Sequence, residues 1–137
     1  MGTISNKGKG QYNFKKPRGG SFQFSYCRVK RFVRIVNHLN NKPLGYHCKS
    51  LFDDLGLRTL QPNQEWEFSF HLSLIIVTEF ECHFWYQNFK AHFDVYHAGD
   101  IGYQCGGDHC IWTAQKDGFY LYNIKSNLNV KMHDWNL

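Results

Sequence analysis

Apolar positions along this 137-residue chain recur mostly at every second residue, the period of a strand with one buried face. The clearest run is "EWEFSFHLSL". Trp66, Phe68, Phe70, Leu72 and Leu74 share one face, and Glu65, Glu67, Ser69, His71 and Ser73 share the other. "FECHFWY" sets Phe80, Cys82, Phe84 and Tyr86 against Glu81, His83 and Trp85, and "LGYHCKS" sets Leu44, Tyr46 and Cys48 against Gly45, His47 and Lys49. "FQFSY" aligns Phe22, Phe24 and Tyr26, while "RFVRIVNHL", "HFDVYH", "CIWTA" and "GFYLYNI" add further short strands. Turn signals such as "NNKP", "QPNQ", "AGDIG" and "QKDG" separate them. No segment predicts a helix of three turns. "DDLGLRTL" offers at most one turn capped by Asp53 or Asp54, and Gly56 weakens even that. The pattern predicts an all-β fold, an antiparallel, immunoglobulin-like sandwich of seven to nine short strands.

The aromatic fraction of 18 % suits such pleated, half-buried surfaces, and the longest apolar run, "LIIV" (Leu74 to Val77), is far short of a helical membrane span. Charge divides the chain. Nine of the 16 Lys and Arg precede residue 35, whereas no Asp or Glu occurs before Asp53. Residues 1–20, with five Gly and five basic residues, predict a flexible basic arm, and residues 21–137 a single β domain. The arm could touch phosphates, an anionic membrane or an acidic partner, or simply keep the protein soluble. The acidic body carries no nucleic-acid recognition motif, which weighs against nucleic acid as partner.

Five cysteines occur, and Cys48, Cys82, Cys105 and Cys110 lie in the body without a C-x-x-C pair, which reads as two disulfides and an oxidising compartment. The opening "MGTISNKGKG" has no apolar signal-peptide core, so the expectation is either a chain that starts after cleavage of its leader or a protein that stays inside. His47 beside Cys48 suggests a nucleophile pair, but neighbouring strand residues face opposite ways, and a disulfide leaves no thiolate. "CGGDHC" (Cys105 to Cys110) holds four possible metal ligands without a supporting second motif, and His71 and His83 sit on polar strand faces. The residues therefore predict no catalytic site, no metal and no cofactor. Cys48 is expected to pin one sheet to the other, and Asp53, Asp54 and Gly56 to shape a turn.

"HCKS" followed by "DDLG" resembles the signature of the plant self-incompatibility protein homologue family, the S-protein homologues. "VRIVNHL" is similar to the family's first core strand, V-x-I-x-N-x-L, and "EWEFSF", "TEFECHFWY", "FDVY" and "CIWTAQKDGFYLY" follow in the family's order. The resemblance runs from about residue 30 to 125. It implies a small, secreted, disulfide-bonded β-sandwich that acts as a signalling ligand of a plasma-membrane receptor in pollen–stigma recognition or a related plant process, without a small-molecule substrate. It also implies that Cys48, Cys82, Cys105 and Cys110 are the family's four usual cysteines. Of three connectivities, Cys48–Cys110 with Cys82–Cys105 is the expected one. Cys27 is additional, either a free thiol in a monomer or a bridge between two chains, and Phe52 stands where relatives carry a third acidic residue. The recognition residues expected in loops are Lys49, Phe52, Asp53, Asp54, Phe89, Lys90, Asp100, Tyr103 and Asp108. The alternative is a secreted defence or toxic protein whose basic arm acts on membranes or nucleic acid.

Overall fold

A computed structural model describes residues 29–137, the side chain of Tyr103 excepted. The basic arm, the expected "FQFSY" strand and Cys27 lie outside the described residues. Among the described residues nine strands and one helical turn follow in order: β1 (Lys30–His38), β2 (Leu44–Lys49), β3 (Asp54–Leu60), β4 (Glu65–His71), β5 (Glu79–Tyr86), β6 (Phe89–His97), α1 (Ile101–Cys105), β7 (His109–Gln115), β8 (Gly118–Asn123) and β9 (Leu128–His133). They form a five-stranded sheet, β4-β1-β7-β8-β9, and a four-stranded sheet, β3-β2-β5-β6. All pairings are antiparallel except β1 with β7, which run parallel. That exception arises because β1 closes the gap between β4 and β7, and the chain returns to β7 only after five further strands and α1.

The alternation seen in the sequence becomes the core. Trp66, Phe68 and Phe70 on β4 and Phe80, Cys82 and Phe84 on β5 are buried, and their rings pack between the sheets. Trp112 of β7 crosses the gap, donating its indole N–H to the carbonyl of Val95 on β6 at 2.9 Å. Asn37 is fully buried, and its side chain is fully used. Its Nδ2 donates to the carbonyls of Lys42 and Leu60 at 2.9 and 3.0 Å, and its Oδ1 accepts from Leu39 N–H at 2.9 Å. A single polar residue in β1 thereby joins the β1–β2 and β3–β4 connections, which explains an Asn amid Val33, Ile35 and Leu39.

Three expectations need correction. The "EWEFSFHLSL" strand ends at His71, and Leu74 is 60 % exposed in the following loop. "DDLGLRTL" forms β3 instead of a helical turn, since its backbone groups pair with β2. The disulfides are Cys48–Cys82 and Cys105–Cys110, not Cys48–Cys110 with Cys82–Cys105. Cys48 and Cys82 face each other across β2 and β5, with Cα atoms 4.0 Å apart and both side chains in the core. The bridge therefore ties two strands of one sheet and does not pin sheet to sheet. Cys105 and Cys110 close the short turn that leads from α1 into β7.

Candidate functional site

Strand register sorts the connections into two ends. Lys49 pairs with Asp54 and Glu81, Glu79 with His97, Lys30 with His71, and Phe32 with His109. The loops 50–53, 72–78, 98–108 and 124–127 consequently gather at one end, the Lys49 end. The links 39–43 and 61–64, the β5–β6 and β7–β8 turns and the chain's last residues gather at the other, the Asn37 end.

The expected recognition residues divide between these ends. Lys49, Phe52, Asp53, Asp54, Asp100, Tyr103 and Asp108 belong to the Lys49 end. Phe89 and Lys90 lie at the opposite one, where the Phe89 ring packs on Tyr86 at 5.1 Å and the Lys90 backbone pairs with Asn136. Phe89 is thus a half-buried packing residue and not an exposed anchor. Both disulfides stand at or near the Lys49 end.

The loop 50–53 is shaped by its own sequence. Ser50 Oγ accepts the N–H groups of Phe52 and Asp53 at 3.3 and 3.1 Å, and Ser50 N–H donates to the Asp53 carbonyl at 2.8 Å. This turn pushes Leu51 and Phe52 outward, 78 % and 60 % exposed. Asp54 Oδ1 accepts Gly56 N–H at 2.9 Å and meets His47 Nε2 at 2.6 Å. Those two hydrogen bonds, the imidazole's first, hold the Asp54 carboxyl below the ordinary carboxylate range. Gly56 takes φ +86°, a conformation other residues adopt at a cost, inside β3 where its pairing with β2 shifts register between His47 and Lys49. Asp53 is different: one carboxylate oxygen is buried without a hydrogen-bond partner among the described residues, and burial pushes its pKa up.

The loop 72–78 is the part that sequence reasoning missed. Ser73 Oγ accepts Ile75 and Ile76 N–H, each at 3.0 Å, and Ser73 N–H donates to Thr78 Oγ1 at 3.2 Å. The apolar run between them faces outward: Ile75 is 75 % and Val77 62 % exposed. The serine at the head of the run was the available signal, because its hydroxyl competes for backbone N–H groups and stops a strand. Beside these loops an open cleft of about 470 Å³ is bounded by Arg31, Tyr96, Gly106, Asp108 and Lys125, with Arg31 and Asp108 paired at 3.4 Å.

His47 and Cys48 point to opposite faces as expected. The sulfur is buried in its disulfide while the imidazole reaches Asp54, so the two cannot act together. The cysteines of "CGGDHC" are likewise bonded to each other. What the geometry defines is a disulfide-braced two-sheet β protein whose loops at one end present apolar tips beside charged groups. The chain belongs to the plant self-incompatibility protein S1 family, whose sequence profile it matches over residues 32–135. It is 39 % identical over 111 residues to S-protein homolog 2 of Arabidopsis thaliana, covering 78 % of this chain and 69 % of that protein. S-protein homolog 4 of the same plant is 35 % identical over 131 residues, covering 92 % of this chain and 85 % of the relative. The fold is that of a solved self-incompatibility protein homologue, at a TM-score of 0.61 and 19 % identity over 82 % of this chain and 98 % of that one. That structure is described as representing a widespread family of small, highly stable, secreted plant proteins.

Proposed function

We propose that this protein is an extracellular ligand, recognised by a plant plasma-membrane receptor through the loops of the Lys49 end, in self-incompatibility or a related cell–cell signalling role. The reading calls on surface recognition and on no chemistry. The observation that carries it is the exposure of Leu51, Phe52, Leu74, Ile75 and Val77 on two loops of one end, each loop fixed by serine hydrogen bonds. Apolar side chains held outward on ordered loops supply the desolvated anchors that interfaces use, and the adjoining Arg31, Asp108 and Lys125 supply a polar rim. Family membership supports an extracellular setting, as do two disulfides, which persist in oxidising compartments.

Binding of the fluorescently labelled protein to intact plant cells tests this. Phe52→Ser and Ile75→Ser should each weaken binding about tenfold or more, the size of an interface anchor. Lys90→Ser at the opposite end and deletion of residues 1–20 should leave it unchanged. Binding that survives both loop variants, disappears with the arm and falls steeply with salt would instead mark an arm-driven binder.

A further inference from the structure

The solvent-facing side of the four-stranded sheet carries an arrangement that receptor recognition does not use. In-register pairing places His47 of β2 opposite His83 of β5, and His83 opposite His92 of β6, so three imidazoles form one row across three strands. Glu81, two residues before His83, projects from the same face. The His83 and His92 rings stack with centroids 3.8 Å apart, and His92 Nε2 lies 2.5 Å from Glu81 Oε1. One donor atom each from Glu81, His83 and His92 falls within 4.8 Å of the other two.

We propose that Glu81, His83 and His92 form a binding site for a divalent transition-metal ion, with Zn²⁺ as the ion it takes. Two imidazoles and one carboxylate are a borderline donor set that suits zinc, and three protein ligands leave a fourth tetrahedral position for water. Bonds of about 2.0–2.1 Å to a tetrahedral ion put its ligand atoms roughly 3.3 Å apart. The close Glu81–His92 pair therefore opens and the widest pair closes, by side-chain rotation alone. The side chains of His92 and Glu81 are 50 % and 35 % exposed, which leaves their solvent side open for that rotation. The frame itself is rigid, because β5 and β6 are joined by the short turn after Tyr86 and His83 faces His92 directly across the ladder. An open cleft of about 330 Å³ adjoins the two histidines and is bounded by Trp85, Lys90 and Asn136, leaving room at the fourth position. His47 is engaged by Asp54 and stands beside the site as a neighbour. Lys49, across the ladder from Glu81, opposes a cation and keeps the affinity moderate. The sequence expectation of no metal weighed "CGGDHC" and took His83 for a solvated histidine on a polar strand face. It overlooked this cluster because a Glu-x-His on one strand and a lone His on the next show no spacing motif.

Isothermal titration of the full chain with zinc chloride near neutral pH is the test. The expected result is one saturable site per chain that excess Ca²⁺ does not displace, since Ca²⁺ prefers all-oxygen sets. His83→Gln and His92→Gln should each weaken it at least about tenfold, no less than the loss of an outer supporting group. His38→Gln, on the other sheet, should leave it unchanged. Zn²⁺-induced shifts of the His83 and His92 ring resonances in the unmutated protein give the same answer without any variant. A non-saturating titration, equally tight binding in both glutamine variants, or ring shifts confined to other histidines would overturn the proposal.

Discussion

Replacing each disulfide by a pair of alanines gives a prediction whose size follows from the connectivity. Cys48–Cys82 joins residues 34 apart, whereas Cys105–Cys110 joins residues only 5 apart. Chain-entropy arithmetic for loops of those sizes gives about 3.8 kcal/mol for the first and about 2 kcal/mol for the second. All four sulfurs are buried, so truncation to alanine adds a packing loss of similar size to both pairs and largely cancels in the comparison. Equilibrium urea unfolding should therefore place the Cys48→Ala/Cys82→Ala protein about 2 kcal/mol below the Cys105→Ala/Cys110→Ala protein, with both below the parent. Thiol titration supplies an independent check. In either double variant the remaining pair stays bonded, so no thiol appears beyond those of the parent. The crossed pairing expected from family resemblance would break both bridges at once and expose two new thiols per chain. Equal destabilisation, or those new thiols, would refute the reasoning.

Asn37→Ala should cost about 3 kcal/mol in urea unfolding, from three lost side-chain hydrogen bonds at about 1 kcal/mol each; a cost under about 1 kcal/mol would mean the residue does not join the two connections. His133 stacks on Phe93 at 3.9 Å, and burial there lowers its pKa against the weaker opposing pull of Asp134. A histidine pKa lowered by folding contributes stability that is complete above the unfolded value of about 6.5 and is lost as pH falls through the folded value. The urea midpoint should accordingly drop on mild acidification, and His133→Phe should remove part of that drop; an unchanged pH slope in the variant would contradict the assignment. Ile75→Ser should unfold within about 0.5 kcal/mol of the parent, because that side chain is already 75 % exposed. A larger loss would show that this loop serves the fold.

The sheets were legible wherever one strand face is core and the other is solvent. Trp66, Phe68 and Phe70, and then Phe80, Cys82, Phe84 and Tyr86, declared their burial by alternation alone. β3 was less so. Its Asp54 and Gly56 read as a turn, and Leu57 is 75 % exposed on an edge strand, so backbone pairing with β2 decides it. β9 went unpredicted because its Leu128 and Val130 remain exposed and its order comes from pairing with β8. Leu74 misled in the opposite sense, since the alternation that groups it with Trp66, Phe68 and Phe70 runs past the end of β4 at His71 into an exposed loop. Disulfide pairing depends on which strands are neighbours, a tertiary property that spacing along the chain does not encode. The gathering of the 50–53, 72–78 and 98–108 loops at one end, away from Phe89 and Lys90, was hidden for the same reason.

The central claim is that the Lys49 end is the face a receptor covers, and site-specific photo-crosslinking tests it most directly. A benzophenone amino acid is placed at Phe52, at Ile75 or at Asn88 in the opposite turn, and the protein is irradiated on intact plant cells. The account predicts one saturable crosslink to a membrane protein from positions 52 and 75, competed away by unlabelled protein and absent from position 88. Crosslinking from position 88 alone, or from all three positions without competition, would contradict it.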